Sequence, residues 1–219
     1  MPMIGKIFLN LLFPPRCVLC GGLLEKNETD FCTQCRCDSP ECRKNKLKLP
    51  FLDSWVAVWY YKGCIRESLH RYKFGRRRHY AQSYGRALAM RLLQEYPEGF
   101  DVLTWVPVSP LRKLTRGFDQ VELICRAVGR ELGMEPVRLL KKVRHNRPQS
   151  GIGGDARRRA NVINAYRPVH PELAAGKRIL LLDDIVTTGA TAGECARVLL
   201  TAGAESICLG CVASAHQGK

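Results

Sequence analysis

Hydrophobic and polar positions along this chain predict alternating strands and helices from residue 54 onward. Residues 54–61 are rich in aromatic and β-branched side chains and predict a strand. Residues 65–74 and 82–96 repeat apolar positions at helical spacing. Residues 101–108 predict a buried strand that ends at a proline, and residues 119–132 predict the helix that follows it. This succession is typical of an α/β fold.

The longest run of aliphatic residues lies near the end of the chain. Residues 179–182 are four consecutive aliphatics, which predict a short central strand buried on both faces. Asp183 and Asp184 follow at its carboxyl end, and a turn rich in hydroxyls and glycine comes next. An amphipathic helix is predicted over residues 193–202 and a last strand over residues 206–212.

The start of the chain is rich in cysteine, and a segment of ~30 residues buries too little apolar surface to fold alone. Two Cys-x-x-Cys pairs stand here, namely Cys17, Cys20, Cys32 and Cys35. Four thiolates at this spacing are typical of a tetrahedral Zn²⁺ site, and metal often substitutes for a core. We therefore predict a structural zinc site. The alternative is a set of buried or redox-active thiols, and Cys37 or Cys42 can also replace one of the four ligands.

Charge and cysteine content narrow the class of protein. Thirty-five Lys and Arg against twenty Asp and Glu give a formal charge of +15, which attracts nucleic acid, phosphorylated metabolites or anionic membranes. Eleven cysteines, an odd number, argue against a secreted disulfide framework. The apolar run at residues 7–13 is interrupted by Asn10 and predicts a short packing helix rather than a signal peptide. We expect a cytoplasmic protein without stable membrane insertion, because no run approaches the ~20 apolar residues of a membrane span.

Positive charge is concentrated in two segments. Residues 109–118 read as a basic loop after a strand, where α/β folds bind ligands, and contain Arg112, Lys113 and Arg116. Residues 138–161 are the most cationic part of the chain and enclose a glycine-rich stretch at 150–154. Both segments are candidates for binding an anion. The alternatives are a solvated loop for the first and a disordered connection for the second.

Residues 179–191, which read ILLLDDIVTTGAT, combine a strand, a turn and a helix start. Backbone N–H groups and the helix dipole at such a turn favour a phosphate. A P-loop is excluded because no Gly-Lys-Ser/Thr ending is present. Two carboxylates beside a phosphate would repel it, so they make sense as acceptors for the hydroxyls of an attached sugar. Capping of the following helix is the alternative role for these acids.

The same thirteen residues resemble the signature by which type I phosphoribosyltransferases bind phosphoribosyl pyrophosphate (PRPP). The resemblance implies that Asp183 and Asp184 bind the ribose hydroxyls. It implies a 5′-phosphate loop made of Thr187, Thr188, Gly189, Ala190 and Thr191. It also implies Mg²⁺ bound with PRPP and a pyrophosphate that Arg112, Lys113 and Arg116 can meet. Arg158, or alternatively Arg147, Arg157 or Arg159, can close over it.

The resemblance extends along nearly the whole chain to the ComF family. The cysteine-rich start and residues 116–120, Arg-Gly-Phe-Asp-Gln, are similar to that family, which usually has Asn at position 119. Asp119 therefore adds an acid to a loop expected to meet pyrophosphate. Gln149, Arg158 and Asn161 match a further part of the pattern. The family implies a type I phosphoribosyltransferase fold, a twisted and mainly parallel sheet flanked by helices, over residues 49–219. A helix and zinc finger precede it over residues 1–48.

The family resemblance implies a role in DNA uptake during natural transformation, through handling of single-stranded DNA. The net charge is compatible with that role, and five aromatics can form either stacking surfaces or core: Tyr60, Tyr61, Tyr72, Phe74 and Tyr80. An active phosphoribosyltransferase with an unknown acceptor is an alternative, so enzymatic activity stays open. Only 28 residues follow Thr191, which leaves little chain for a base-recognising hood. A third hypothesis is an adaptor whose zinc module docks a helicase-like partner.

Overall fold

The central sheet consists of four parallel strands in a computed structural model that describes residues 13–42, 48–144 and 162–216. Its strands are β1 (Ser54–Tyr60), β2 (Val102–Trp105), β5 (Arg178–Val186) and β6 (Ser206–Ser214), in the order β1–β6–β5–β2. An antiparallel pair, β3 (Leu140–Lys142) and β4 (Tyr166–Pro168), forms a second small sheet. All carboxyl ends of the central strands therefore lie at one edge, where ligands bind in α/β folds.

Helices cover both faces of the central sheet. The helices of the described residues are α1 (Thr33–Asp38), α2 (Gly63–Phe74), α3 (Tyr80–Glu95), α4 (Pro110–Arg116), α5 (Gln120–Leu132) and α6 (Ala190–Thr201). Of these, α2, α3, α5 and α6 pack on the sheet. One core contains α2, α3 and α5 together with Leu180 and Leu182 of β5. The other contains α6 with Ile179 and Leu181. Successive side chains of β5 point to opposite faces, which explains the continuous aliphatic run. The predicted α/β class with a parallel sheet flanked by helices is confirmed.

Residues 110–116 form helix α4, so the prediction of a basic loop over residues 109–118 is wrong. Ser109 caps the helix, because its side-chain oxygen accepts a hydrogen bond from the Arg112 N–H at 3.4 Å. Pro110 occupies the first turn, where its missing N–H costs nothing. Gly117 ends the helix at a φ of 77°. These start and stop signals enclose only seven residues, too few for a clear apolar period.

Strand β5 extends beyond its aliphatic run, so the acids lie within the strand and not after its end as predicted. Asp183 is paired with Cys211 of β6, and the pairing continues to Val186 opposite Ser214. On the other side, β2 pairs with β5 only as far as Leu182. One edge of β5 therefore has no β2 partner where the acids stand.

The cysteine-rich module packs into the α/β core. Cys17, Val18, Leu19 and Cys35 belong to the same buried cluster as α2 and α3. The domain boundary between residues 1–48 and 49–219 stays a prediction, but no gap in packing separates the two described parts. The predicted helix at residues 7–13 and the glycine-rich stretch at 150–154 fall outside the described residues, except for Phe13. No helix in the described ranges is long and apolar enough to cross a membrane.

Candidate functional site

Two helices contribute side chains to Asp184 at the carboxyl end of β5. The ammonium of Lys73, the penultimate residue of α2, lies 2.9 Å from Asp184 Oδ1. The side-chain amide of Gln120, the first residue of α5, donates to Asp184 Oδ2 at 3.3 Å. Asp184 is buried, and these two partners satisfy both of its carboxylate oxygens. A hydroxyl-bearing ligand at this acid must therefore share or replace them.

The Arg-Gly-Phe-Asp-Gln segment positions Gln120 by local structure. Gly117 takes the left-handed conformation that ends α4. Phe118 is buried and its ring centre lies 5.7 Å from that of Tyr72. The Tyr72 hydroxyl in turn donates to the backbone carbonyl of Gln120 at 2.7 Å. Gly117 and Phe118 thus help to hold the Gln120 amide beside Asp184.

Asp119 caps α5 and does not add an acid to the surface facing pyrophosphate. Its Oδ1 accepts from the N–H groups of Val121 at 3.0 Å and Glu122 at 3.1 Å. Its Oδ2 accepts from the N–H of Val108 at 3.2 Å. Burial raises the pKa of this carboxyl, while the backbone N–H groups oppose that effect. The carboxyl therefore joins the end of the β2 segment to the start of α5.

Asp183 differs electrostatically from its neighbour. Burial, together with the charge of Asp184, raises the pKa of Asp183 to about 8. The Asp184 N–H donates to Asp183 Oδ1 at 2.8 Å, and the cations Lys73 and Lys142 also oppose the rise in pKa. Lys142, on β3, lies 5.1 Å above the ring of Tyr166, and burial lowers its pKa. The Asp183 carboxyl therefore holds a proton more readily than an ordinary aspartate, because its pKa is raised.

The predicted phosphate loop joins β5 to the N-terminus of α6. Thr187 and Thr188 precede Gly189, which has a φ of 71° and is the N-cap residue of α6. The positive φ at position 189 favours glycine, and a Cβ there would also push aside the end of the Leu49 side chain. The first turn of α6 carries no acidic residue, so nothing there repels an anion. Ala190 and Thr191 open this helix.

A cationic cleft of about 520 Å³ adjoins the acids, because Lys73 lines it and also reaches Asp184. Arg112 and Arg116, both predicted to face pyrophosphate, line this cleft. Lys113 points elsewhere, with its ammonium 3.4 Å from Glu122 Oε2. The other predicted residues, Arg158 together with Gln149 and Asn161, fall outside the described ranges.

Sequence reasoning gave no role to Lys73, Gln120 or Lys142. Lys73 stands in a predicted helix, off its apolar face. Gln120 belongs to the Arg-Gly-Phe-Asp-Gln motif of the family, and this motif was the feature of the sequence that pointed to it. Among the five aromatics, Tyr72 and Tyr80 are core, whereas Phe74 is exposed in the cleft. Aromatic residues close together in the sequence therefore lie partly in the core and partly at the surface.

The four predicted zinc ligands lie together. The sulfur atoms of Cys17, Cys20, Cys32 and Cys35 are all within 4.8 Å of one another. Those of Cys20 and Cys32 are 3.8 Å apart, the edge of a tetrahedron with metal–sulfur bonds of ~2.3 Å. Gly21 has a φ of 82°, and the Gly22 N–H points to the Cys20 sulfur at 3.4 Å. The donor set therefore fits a zinc ion.

Neither Cys37 nor Cys42 belongs to this cluster. Cys37 is exposed on α1, and Cys42 is buried beside β1, where its N–H donates to the Val58 carbonyl at 2.9 Å. The structure thus decides between the ligand sets that the spacing left open.

The tip of the cysteine module, Val18 and Leu19, is bound to α2. The Ser68 hydroxyl donates to the Val18 carbonyl at 2.5 Å, and Arg71 donates to the Leu19 carbonyl at 2.5 Å. Helix α2 also carries Lys73, so the module and the acid site share one helix.

Comparison with solved structures finds partial likeness. An allosteric regulatory enzyme of purine biosynthesis is 22% identical, with a TM-score of 0.41, over 59% of this chain and 25% of that one. Glutamine PRPP amidotransferase from B. subtilis is 22% identical, with a TM-score of 0.38, over 58% and 26%. This chain spans about a quarter of the length of those enzymes. No protein-family model matches the chain.

Comparison with known sequences finds relatives along most of the chain. DNA utilization protein YhgH of Escherichia coli K12 is 28% identical over 208 residues, covering 90% of this chain and 88% of that protein. Competence protein ComFC of Streptococcus pneumoniae is 29% identical, covering 88% and 96%. Competence protein F of Haemophilus influenzae is 26% identical, covering 88% and 93%. The ComF resemblance predicted from the motifs is therefore confirmed, and the chain is a homologue of ComFC, competence protein F and YhgH.

Proposed function

We propose that this chain binds PRPP with Mg²⁺ and acts in DNA uptake, where it handles single-stranded DNA. The observation that carries the PRPP part is the junction of β5 and α6. A pair of acids there stands on β5, a few residues before the glycine turn at the N-terminus of α6. Acids accept hydrogen bonds from sugar hydroxyls, and the turn offers N–H groups to a phosphate. Acids close to such a turn fit a ligand in which a ribose carries a 5-phosphate.

In this proposal Asp183 and Asp184 bind the ribose hydroxyls, and residues 187–191 bind the 5′-phosphate. Arg112 and Arg116 bind the pyrophosphate, with Lys113 and Arg158 as further candidates for that role. Mg²⁺ would be held beside Asp183 and Asp184 together with PRPP and would neutralise part of the charge of the pyrophosphate. The Lys73 ammonium, now on Asp184, becomes available to a ligand phosphate once the ribose takes its place.

The DNA part of the proposal rests on the relatives, which are named for competence and for DNA utilization. The formal charge of +15 supports binding to the phosphates of a strand. A cytoplasmic location, for which the cysteine content and the family resemblance speak, and a helicase-like partner of the zinc module are further parts of the proposal.

Calorimetric titration of PRPP in the presence of Mg²⁺ tests the pocket. We expect binding by the wild-type protein and its loss in the Asp183→Asn, Asp184→Asn double variant. Glu98→Gln, a change at an exposed acid outside the cleft, is the matched control and should bind as the wild type does. Folded wild-type protein that takes up no PRPP would rule out this function.

Transfer of the phosphoribosyl group is a second candidate, favoured by the cleft of about 520 Å³ that opens beside Asp184. An acceptor held in that cleft would lie next to the ribose. Release of pyrophosphate from PRPP, measured with and without single-stranded DNA, separates an enzyme from a PRPP-binding factor.

We also propose that the four-cysteine cluster holds a structural zinc ion. Four protein ligands leave no open position for a substrate, which supports a structural role over a catalytic one.

A further inference from the structure

An exposed aromatic ring stands among the cations of the cleft. Phe74, the last residue of α2, is 60% exposed. The guanidinium of Arg116 lies 5.0 Å from the centre of its ring, and the His70 ring lies 4.7 Å away on the same helix. Pyrophosphate binding would explain the arginines, but it gives no use to a phenyl ring between them. A flat apolar group beside a phosphate would use both.

The cations extend past the PRPP site along α2. A second cleft of about 540 Å³ is lined by Arg66, His70 and Arg71, with Glu67 the one acid among its described lining residues. Helix α2 has 12 residues and is therefore ~18 Å long. Arg66 precedes Lys73, which lines the first cleft, by seven helical residues, or ~10 Å along the axis, which is more than a single phosphate can span.

Four arginines on this surface are available to a ligand. Within the described ranges, no carboxylate forms an ion pair with Arg66, Arg76, Arg112 or Arg116. Arg71, by contrast, pairs with Glu67 at 3.9 Å and binds the Leu19 carbonyl. Guanidinium groups bind phosphates through several donors, and a row of them fits a chain of phosphates.

We infer that a single strand of DNA binds along α2 and stacks one base on Phe74, at the edge of the PRPP site. The α2 surface that binds it consists of Arg66, His70, Phe74, Arg76, Arg112 and Arg116, and it shares Arg112 and Arg116 with the pyrophosphate site. This inference rests on the proposed function and assigns its strand-binding role to one surface. A single strand is required because the bases of a duplex are stacked on each other and cannot reach the ring.

Fluorescence anisotropy with a labelled oligothymidine and the full chain tests the stacking. Phe74→Leu keeps an apolar side chain but removes the ring, and we expect the affinity to fall ~10-fold, within the range found for base–aromatic stacking. Phe74→Trp should bind at least as well as the wild type. For an oligonucleotide with abasic sites, the wild-type protein and Phe74→Leu should have the same affinity. Because Phe74 is largely exposed, both variants should fold and bind PRPP normally.

The charge component needs a matched control. Arg76→Ala should weaken strand binding about as much as one lost phosphate contact does, whereas Arg130→Ala should leave it unchanged. Arg130 is an exposed arginine on α5 that lines a different cleft with Pro136. Equal losses from both variants would show unspecific attraction and overturn the assignment to the α2 surface.

The remaining outcomes identify other ligands or separate the two proposals. Thymidine monophosphate that competes as well as the oligonucleotide would make the cleft a nucleotide site and overturn strand binding. Duplex that binds as tightly as single strands would also overturn it. If the wild-type protein binds single strands and Phe74→Leu binds them equally well, this inference is wrong and the proposed function stands. If the wild-type protein binds PRPP but no oligonucleotide, strand handling is excluded from the proposed function and this inference is wrong as well.

Discussion

Asp119 shows how one side chain controls the geometry of the acid site without facing the ligand. Its carboxyl accepts three backbone N–H groups and thereby joins the residues after β2 to the start of α5. The next residue, Gln120, contacts Asp184. The family usually has Asn at position 119, and either side chain can cap a helix.

Asp119→Ala should lower the free energy of unfolding by ~2 kcal/mol, since a lost N-cap and an unsatisfied buried N–H each cost ~1 kcal/mol. Asp119→Asn should cost less, because an amide oxygen still caps α5. Urea denaturation followed by circular dichroism measures both. An unfolding free energy that Asp119→Ala leaves unchanged would contradict the capping role.

Asp183 should make the protein less stable as the pH rises. Its pKa is raised to about 8 in the folded chain, against ~3.9 for an unperturbed Asp. Between these values the folded state holds a proton that the unfolded state has lost, so stability falls with increasing pH across this window.

Asp183→Asn removes this titration and keeps the oxygen that accepts the Asp184 N–H. We expect the variant to gain ~1 kcal/mol or more at pH ~8, which raises the melting temperature by ~2–4 °C per kcal/mol in a chain of this size. Near the acidic end of the window, the two proteins should melt alike. Thermal melts across the pH range measure this, and parallel curves would show that Asp183 is ionised throughout.

At the scale of elements, the cysteine module is part of the core and not an appendage. Val18 and Leu19 are buried against α2, and Asp30 accepts hydrogen bonds from Ser83 and Arg86 of α3. Removal of residues 1–45 should therefore expose the core. Removal of the module is therefore unsuited to testing the adaptor hypothesis, because it should also unfold the part of the chain that holds the acid site.

Cys20→Ser should abolish zinc binding and lower the melting temperature by ~10 °C or more. Burial of Val18 and Leu19 contributes ~1.5–3 kcal/mol each, and this burial depends on the zinc loop. Cys37→Ser, at an exposed cysteine outside the cluster, should change neither property. Elemental analysis and thermal melts are the measurements. Full zinc content in the Cys20 variant would mean that the ligand set is different.

Helices with a clear apolar period were predictable, and short elements set by their ends were not. Helix α5 was predicted within one residue of its start, because its apolar stripe spans more than three turns. Helix α4 has no buried residue, so its period carried no signal. The extension of β5 through Asp183 and Asp184 escaped prediction because pairing with β6, not side-chain type, maintains the strand there.

At the scale of the whole molecule, the excess of positive charge is distributed unevenly over the surface. Many cations form ion pairs or bind backbone carbonyls, as Arg86 and Arg71 do. The four arginines of the α2 surface lack such acidic partners in the described part of the chain. Strand binding should therefore depend on this surface more than on net charge.

Strand affinity should fall ~50-fold when monovalent salt rises from ~50 to ~200 mM, if the four arginines neutralise ~4 phosphates at a slope of −0.7 each. Anisotropy titrations over a salt series measure the slope. Arg76→Ala should reduce its magnitude by ~0.7, and Arg130→Ala should not change it. Affinity that is flat with salt would exclude phosphate contacts as the basis of binding.

The sequence by itself determined which residues form two local motifs: the two acids with the phosphate-binding turn, and the four cysteines. Both are local, because a few adjacent residues supply the donor types and the turns that bring them together. Only the tertiary structure decided which partners they have. Lys73 and Gln120 stand 111 and 64 residues before Asp184 and meet it through the packing of α2 and α5 on β5. The direction of a side chain between packed elements depends on how each helix is rotated against the sheet, and apolar periodicity does not specify that rotation closely enough to place a polar group.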